Sequence, residues 1–214
     1  MVIKSTKPNK KKVGIGITTK DRPQLLSNLI ASIEKHTSNY TLYVADDSIE
    51  QQGVAKKKNE CLNNLKHCDH IFLLDDDVEI LQDGWIDFFT REGFQHLLFM
   101  NDKLHRFHKQ IGRYQIYHDC GGVFMYMTKK AVERVGGFNE DLSPWGLEHA
   151  EYTNRIMGKR NWYPMLVGTG RYIFSHDYST PGHQSSITNE EKNIYYKKNM
   201  IEYLKPIQQI YRPL

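Results

Sequence analysis

The sequence is poor in cysteine and has no long apolar run, which limits the class of protein it can encode. Three cysteines among 214 residues are an odd count, and this favours reduced thiols in a cytosol. No segment approaches the roughly 20 apolar residues that span a membrane, and the start, Met-Val-Ile-Lys-Ser, lacks the apolar core of a signal peptide. We therefore expect one globular domain with a sizeable core and a cytoplasmic location.

Three common cofactor motifs are also missing. No phosphate-gripping Walker loop is present, and Gly14-Ile15-Gly16 lacks the third glycine of a dinucleotide-binding turn. His105, His108 and Cys120 come without paired Cys-x-x-Cys spacing, so a zinc site is disfavoured. A nucleotide, if one binds, must therefore be held by acidic residues and a metal ion.

The positive charge is unevenly distributed along the chain. The formal net charge is +4, with lysines crowding residues 1–12 and a second run at residues 56–58. We expect residues 1–11 to form a basic, flexible N-terminal tail. The alternative is that these lysines attract anionic lipid, nucleic acid or the phosphates of a nucleotide.

The first half of the sequence alternates strands and helices. Apolar runs predict strands at residues 13–18, 41–45 and 71–74, and apolar residues at helical spacing predict helices from Pro23 and over residues 53–66. This order implies a parallel sheet with helices on both faces. Ligands of such sheets bind beyond the carboxyl ends of the strands.

Three aspartates, Asp75, Asp76 and Asp77, directly follow the strand predicted at residues 71–74. Strand alternation would point Asp75 and Asp77 to one side and Asp76 to the other. Two carboxylates about 4 Å apart repel by roughly 1 kcal/mol in water and about 4 kcal/mol at a protein-like dielectric. Such a pair favours a hard cation such as magnesium or manganese. The alternative is an acidic turn in solvent.

The second half is less regular. We expect strands within residues 97–101, 123–127 and 163–174, helices over residues 129–135, 144–157 and 189–204, and a connection rich in basic residues at 102–118. Tyr195 and Tyr196 are predicted to pack the terminal helix, with an acceptor or membrane contact as the alternative.

In order and spacing, six short motifs resemble those of GT-A-fold glycosyltransferases, near family 2 and the related galactosyltransferases and polypeptide GalNAc-transferases. The motifs are Thr18 with Arg22, Asp46-Asp47-Ser48, Gly53 with Lys58 and Asn59, Asp75 with Asp77, Gly136 to Asn139, and Trp145-Gly146 with Glu148. The resemblance covers roughly residues 13–177. It implies an α/β fold, with one GT-A (Rossmann-like) domain at residues 12–188 whose mostly parallel central sheet is flanked by helices. A C-terminal helix and tail would follow at residues 189–214.

The resemblance also implies binding roles. The residues expected to hold the nucleotide-sugar donor are Thr18, Thr19, Arg22, Asp46, Asp47, Lys58, Asn59, Asp75, Asp76, Gly121, Gly122 and Trp145. Asp75, Asp77 and His176 would bind the metal, Mn2+ or Mg2+, and imidazole suits manganese better than magnesium. Without a binding role, His176 is a surface residue, Trp145 packs the core and the glycines form a tight turn. His183 is a weaker substitute for His176.

The residue that would remove the acceptor's proton departs from the family pattern. Inverting relatives carry Trp-Gly-x-Glu-Asp, and His149 stands at the aspartate position, with a pKa suited to the task. Retaining GalNAc-transferases carry Trp-Gly-Gly-Glu-Asn-x-Glu, which Glu148 and Glu151 also resemble. The candidate catalytic residues are therefore Glu148, His149 and Glu151, and either stereochemical outcome is open. Without catalysis, the start of a helix favours Glu148 and an ion pair with Arg155 explains Glu151.

We therefore expect a metal-dependent glycosyltransferase that moves a hexose or pentose from a nucleotide-sugar donor, a UDP-sugar, to a hydroxyl. The acceptor would be a polysaccharide or glycan precursor, or a modified base in phage DNA, in the cytoplasm of a bacterial cell or a phage-infected host. One alternative is a sugar nucleotidyltransferase, although the glycine-rich loop of that class is missing. Another is a non-catalytic carbohydrate- or nucleotide-binding module on the same fold.

Overall fold

The computed structural model describes residues 11–91, 93–99, 106–176 and 187–207. Most of the basic tail predicted at residues 1–11, the residues His105 and His183, and the end of the C-terminal tail lie outside the described residues. No helix in the described part of the chain is both long and apolar enough to cross a membrane.

Short strands and helices alternate along the described residues. The strands are β1 (Val13–Thr19), β2 (Tyr40–Asp46), β3 (His70–Asp75), β4 (Val78–Ile80), β5 (His96–Leu98), β6 (Phe107–Ile111), β7 (Tyr114–Tyr117), β8 (Phe124–Thr128), β9 (Tyr163–Leu166) and β10 (Ile173–Ser175). The α-helices are α1 (Pro23–His36), α2 (Val54–Leu65), α3 (Trp85–Thr90), α4 (Lys129–Val135), α5 (Glu148–Met157) and α6 (Asn189–Tyr203). Single turns of 3-10 helix cover Glu140–Leu142 and Thr169–Arg171.

The central sheet has the strand order β2-β1-β3-β8-β5. Strand β1 pairs with β2 and β3 in parallel, whereas β8 runs antiparallel to β3 and β5. The register sets Thr18 opposite Ala45 on one side and opposite Asp75 on the other. The polar residues that end the three parallel strands therefore meet at one edge of the sheet. The α/β class predicted from the sequence is confirmed.

Helices α1 and α2 pack on opposite faces of this sheet. Leu29 and Ile33, one turn apart on α1, are buried in the core on one face. On the other face, a Cβ added to Gly16 would lie only 2.7 Å from the Cβ of Cys61 on α2. Gly16 therefore lets α2 approach the sheet closely. This packing accounts for a glycine inside a strand without any phosphate-binding turn.

The core occupies both faces of the sheet. Leu73 packs with Met125 on the α2 side. Phe72 packs on the α1 side, where its ring centroid lies 4.8 Å from that of Trp85 in an edge-to-face arrangement. Neighbouring residues of β3 thus serve different core layers, as expected of a strand that is buried on both faces.

Two smaller sheets, β4-β10 and β6-β7-β9, complete the fold. The segment predicted as a connection at residues 102–118 contains the antiparallel hairpin β6-β7 in its described part, so that prediction is wrong there. The error has a physical reason: both strands are short and of mixed polarity, and they lack a clear period. Pairing with β9 completes this sheet. The terminal helix predicted at residues 189–204 is confirmed as α6.

Candidate active site

A cavity of about 660 Å³ opens at the carboxyl ends of β1, β2 and β3, and α6 supplies a further wall. Many of the residues predicted to bind donor, metal or acceptor share this cavity. Those that line it are Thr18, Thr19, Arg22, Asp47, Asp75, Asp77, Gly121, Gly122, Trp145, Glu148 and His149. Lys58 lies behind the lining, in contact with Glu148.

Threonines at the end of β1 hold two of the three consecutive aspartates. Thr18 Oγ1 donates to Asp75 Oδ1 at 2.8 Å, and Thr19 Oγ1 donates to Asp76 Oδ2 at 2.6 Å. Asp75 and Asp77 line the cavity, whereas Asp76 is buried outside its lining. The expected alternation of the three side chains therefore matches the structure, and Asp76 supports the acidic edge from behind.

Arg22 neutralises part of this negative charge. Its Nε donates to Asp76 Oδ2 at 3.1 Å, its Nη2 forms an ion pair with the same carboxylate, and its Nη1 lies 3.5 Å from Asp77 Oδ2. Burial raises the pKa of Asp76 to about 6, against the opposing effects of Thr19 and Arg22. The guanidinium predicted to bind the nucleotide is thus engaged by the aspartates, although it also lines the cavity.

Asp75 and Asp77 fit a hard divalent cation. The side chain of Asp75 is 25% exposed and that of Asp77 is 12% exposed, and both residues line the cavity. Burial raises the pKa of Asp75, Lys58 lowers it, and the negative charge of Asp77 raises it again. A cation would relieve this repulsion. Magnesium and similar ions keep water and substrate phosphate among their ligands, so one or two protein carboxylates suffice.

His176 does not complete this pair of carboxylates. Its backbone N–H donates to the carbonyl oxygen of Asp77 at 2.8 Å, because β10 pairs with β4. Its ring turns elsewhere, with Nε2 3.5 Å from Glu79 Oε2. Over the residues that the structure describes, no group of three or more His, Cys, Asp or Glu side chains is placed to hold a metal ion. The prediction of His176 as a metal ligand is therefore not supported.

A buried cluster of three charged side chains lies beneath the cavity. Lys58 Nζ donates to Glu148 Oε1 at 3.1 Å and to the carbonyl oxygen of Gly122 at 3.3 Å. His149 donates from Nδ1 to the same Glu148 oxygen at 3.1 Å and from Nε2 to the carbonyl oxygen of Cys120 at 3.2 Å. Both ring nitrogens of His149 face acceptors, which is the arrangement of an imidazolium.

These three groups set one another's protonation. Burial favours the neutral form of His149, but Glu148 and Cys120 outweigh it and raise the pKa to about 10. Burial also favours the neutral form of Glu148, but Lys58 and His149 outweigh it and hold the pKa of the carboxyl well below its usual range. His149 is therefore a cation at neutral pH. The prediction that its pKa suits a general base does not hold in this structure.

The two carboxylate oxygens of Glu148 have different surroundings. It is the first residue of α5, and its Oε1 accepts hydrogen bonds from both neighbouring cations. Its Oε2 is buried and accepts no hydrogen bond from any described residue. Of the two candidate catalytic carboxylates, Glu148 is the one that lines the cavity.

The turn before α5 aims Glu148 and is held by a residue of α6. Gly146 and Leu147 have left-handed backbones, with φ of 95° and 71°, and such a conformation costs a leucine about 1–3 kcal/mol. Asn199 is buried. Its Nδ2 donates to three carbonyl oxygens at 2.9, 3.0 and 3.1 Å, those of Leu142, Trp145 and Gly146.

The glycine pair before β8 makes room for His149. A Cβ added to Gly122 would lie 2.7 Å from the His149 ring. Gly121 and Gly122 both line the cavity. Of the two glycines predicted to let the backbone approach a sugar, Gly122 therefore makes room for the imidazolium.

The two aspartates that follow β2 have different surroundings. Asp47 lines the cavity, and its two carboxylate oxygens accept from the backbone N–H groups of Gln52 at 2.6 Å and Gly53 at 2.9 Å. Asp46 lies outside the lining and accepts from the hydroxyl and N–H of Ser48, which lower its pKa. Of the two aspartates, Asp47 alone therefore lies in the cavity lining.

Asn59 and Glu151 also lie outside the cavity lining. Asn59 Nδ2 donates to the Phe138 carbonyl oxygen at 3.0 Å, and its Oδ1 accepts from the Phe138 N–H at 2.6 Å. Glu151 pairs with Arg155 through both carboxylate oxygens, at 2.7 and 3.0 Å. Both residues have structural contacts that account for them, and the alternative given for Glu151 is the one the structure supports.

Sequence reasoning missed several residues of the lining. Lys57 is buried, pairs with Glu50 at 2.8 Å and Glu60 at 3.2 Å, and lines the cavity. The lysine run at residues 56–58 was the signal, but it did not say which lysine faces the cavity. Tyr195 and Tyr196, predicted to pack the terminal helix, line the cavity as well.

Comparison with known proteins identifies the fold. A family model described as the N-terminal domain of galactosyltransferase matches residues 102–174. No curated protein sequence matches the chain. Among solved structures, GalNAc-T7 with UDP, GalNAc and Mn2+ superposes with a TM-score of 0.64 and 11% identity, over 93% of this chain and 48% of that chain.

Two further structures agree. The S. aureus protein TarS (residues 1–349) has a TM-score of 0.55 and 14% identity, over 77% of this chain and 60% of that chain. The catalytic domain of Drosophila beta1,4-galactosyltransferase 7 in complex with xylobiose has a TM-score of 0.50 and 16% identity, over 86% of this chain and 79% of that chain. The chain has the GT-A fold of glycosyltransferases, and the resemblance predicted from its motifs is confirmed. It spans 60% of the TarS structure and 48% of GalNAc-T7.

Proposed function

We propose that this chain is a metal-dependent glycosyltransferase that transfers a hexose or pentose from a UDP-sugar to an acceptor hydroxyl. The observation that carries the proposal is one cavity at the carboxyl edge of the sheet, where the carboxylates of Asp75 and Asp77 meet the cluster of Lys58, Glu148 and His149. UDP and Mn2+ in the GalNAc-T7 structure, and UDP in a TarS complex, support the donor and the metal.

The donor would lie along the acidic edge of the cavity. Asp75 and Asp77 would hold Mn2+ or Mg2+, and the ion would neutralise the departing diphosphate. Arg22 and Lys57 line the same cavity, and their positive charges suit the same phosphates. Asp47 suits a ribose hydroxyl or the N–H of uracil.

Glu148 would receive the acceptor hydroxyl through Oε2. In the transfer, the acceptor oxygen bonds to the anomeric carbon, the bond from that carbon to the diphosphate oxygen breaks, and its electron pair leaves with the diphosphate. The hydroxyl proton passes to Oε2 as the new bond forms, because bonding to carbon makes the hydroxyl acidic. Lys58 and His149 fix the carboxylate by holding Oε1, and their charges also weaken it as a base before bond formation begins.

The acceptor would be a glycan precursor or a modified base of DNA, met in the cytoplasm. Trp145, Tyr195 and Tyr196 line the cavity, and their rings can pack against either a sugar or a base. The xylobiose bound to the Drosophila enzyme supports a glycan. Arg106, Lys109 and Lys159, in or beside the sheet β6-β7-β9, support a nucleic-acid strand because their charges suit its phosphates.

Replacing Asp75 and Asp77 by alanine tests the proposal. The double variant should lose UDP release from UDP-sugar by on the order of 100-fold or more, because the diphosphate leaves without charge neutralisation. UDP release should be measured with and without manganese, and UDP affinity by calorimetry. Asp83→Ala, at an exposed acid paired with His36, serves as the control and should keep wild-type rates.

Unchanged metal-dependent release in the double variant would contradict the proposal. UDP binding without turnover by the wild-type chain would instead identify a non-catalytic binding module. Release of pyrophosphate from a sugar phosphate and a nucleoside triphosphate would identify a sugar nucleotidyltransferase.

A further inference from the structure

The small sheet β6-β7-β9 is built from segments that contain no acidic residue. Residues 106–118 form β6 and β7, and residues 158–166 lead into and form β9; neither segment contains Asp or Glu. Their cations are Arg106, Lys109, Arg113, Lys159 and Arg160. A surface of one charge sign creates a potential that attracts ligands of the opposite sign.

Two lysines of this sheet are held against one ring. Lys109 Nζ lies 4.5 Å from the ring centroid of Trp162, and Lys159 Nζ lies 3.8 Å from the same centroid. The indole therefore gathers two ammonium groups that would otherwise repel each other. Neither lysine has a carboxylate partner among the contacts of the described residues, so both charges are available to an anion.

Two exposed imidazole rings accompany these charges. Phe107 is 53% exposed, but it pairs with Tyr117 whereas Lys109 pairs with Ile116, so its ring lies on the other face of the sheet from Lys109. His108 and His118 are exposed, with ring centroids 4.4 Å apart. The pKa of His108 is lowered by a partial loss of water around the ring and by nearby positive charges, those of His118, Lys109 and Lys159. The two imidazoles and the two lysines thus belong to the same small sheet and the segments that lead into it.

The chain leads from this sheet directly into the cavity. His118 is followed by Asp119, and then by Cys120 and Gly121, which line the cavity. The carboxylate of Asp119 accepts from Arg106 Nε at 2.8 Å, so the acid at this junction is already paired with a cation. A long anionic ligand bound along β6 could therefore place one of its units at Glu148.

We propose that the β6 face, defined as His108, Lys109, His118 and Lys159, binds a single-stranded nucleic acid that serves as the acceptor. Strand-binding proteins combine cations that contact the phosphates with aromatic rings on which the bases stack, and the β6 face has both. A membrane would require a large contiguous apolar patch instead of scattered rings among charges. The proposal rests on the proposed function only in taking the strand as the acceptor, because binding itself needs no donor.

Binding is tested with a fluorescein-labelled single-stranded oligonucleotide, by anisotropy over a series of sodium chloride concentrations and without any donor. Each phosphate contact contributes roughly 0.7 to the slope of log affinity against log salt. Lys109→Ala/Lys159→Ala should therefore lower that slope by roughly 1.4. At pH 8, His108→Ala should weaken binding by about fivefold or more without changing the slope, because it removes the stacking surface of a neutral imidazole and not a charge.

Lys35→Ala/Lys130→Ala is the matched control, since both lysines are exposed and lie on α1 and α4, outside the β6 face. It should keep the wild-type slope. Thermal unfolding of each variant checks that the fold is intact.

The proposal is overturned if the wild-type chain does not bind the oligonucleotide, or if both double variants lower the slope equally. It is also overturned if vesicles of anionic lipid or an anionic polysaccharide bind more tightly and with the same dependence on Lys109 and Lys159. Because donor hydrolysis does not need the strand, UDP release in water separates a failure here from a failure of the glycosyltransferase proposal.

Discussion

At the scale of single residues, the site depends on two cations that donate to the same carboxylate oxygen. Lys58 and His149 both donate to Glu148 Oε1, so the carboxylate is ionised, and its second oxygen accepts no hydrogen bond from any described residue. A histidine next to a glutamate in a helix suggests a base when the motif is considered alone. The buried ion pair makes the same histidine a cation, and its function becomes holding Glu148 in place.

Glu148→Gln tests this assignment. The substitution keeps the size of the side chain but removes its negative charge, so burial and Lys58 should lower the pKa of His149 well below about 10. Sugar transfer should fall on the order of 100-fold, because the amide cannot take up the hydroxyl proton. NMR titration of the imidazole reports the pKa, and a transfer assay reports the rate.

The control for this variant is Glu133→Gln, which removes an exposed acid paired with Lys129 on α4. It should change neither quantity. A His149 that still titrates near pH 10 in the Glu148 variant would show that Glu148 does not set its charge.

At the scale of elements, α6 organises the turn that begins α5. The turn contains two left-handed residues, Gly146 and Leu147, and the amide of Asn199 holds it from the neighbouring helix. Lys192, from the same helix, lies 5.6 Å from the ring centroid of Trp145. A helix at the end of the described chain thus shapes a cavity whose other walls come from the central sheet.

Asn199→Asp should disrupt this arrangement more than its small size change suggests. A carboxylate in place of the amide would face three carbonyl oxygens without a hydrogen to donate, so the free energy of unfolding should fall by about 2–4 kcal/mol. Sugar transfer should fall further than UDP affinity, because the turn positions Glu148 and not the acidic edge. Urea denaturation, transfer kinetics and calorimetry with UDP measure the three quantities.

Asn193→Asp makes the same chemical change at an exposed position of α6 and should leave all three quantities close to the wild-type values. Equal effects of the two substitutions would mean that added negative charge on α6, and not the hydrogen bonds of Asn199, is responsible.

At the scale of the whole molecule, a buried histidine joins the central sheet to α5. His96 on β5 donates from Nδ1 to the Tyr126 carbonyl oxygen at 2.7 Å and accepts at Nε2 from Thr153 Oγ1, at 2.9 Å. Burial lowers its pKa from 6.5 to about 4. The neutral ring therefore satisfies both partners, and a proton on Nε2 would replace the acceptor with a donor.

This histidine should make the fold sensitive to acid. Its pKa is lower in the folded state, so its stabilising effect is complete above about pH 6.5 and is lost as the pH falls towards 4. The loss should reach about 3 kcal/mol, at 1.36 kcal/mol per pKa unit. Urea denaturation across this range should show a smaller decline for His96→Gln than for the wild type, because glutamine does not titrate.

His67→Gln removes an exposed histidine just after α2 and should keep the wild-type decline. If His96→Gln also keeps it, another group is responsible for the acid sensitivity.

The sequence alone was enough to predict the parallel strands β1 to β3, the helices α1 and α2, and the placement of Asp75 and Asp77 at a shared edge. Each of these follows from a pattern within a few residues, because burial on a strand or on one helix face repeats along the chain. The short strands β6 and β7 carry no such repeat and were missed.

The arrangement of side chains inside the site depends on contacts between residues far apart in the chain, which only the tertiary structure shows. Lys58 and Glu148 are 90 positions apart, and Asn199 reaches a turn more than 50 positions away. The charge of His149 and the placement of Asp47, and not Asp46, in the cavity lining likewise depend on surrounding groups. A protonation state is set by burial and by the charges nearby, and no motif contains that information until the chain has folded.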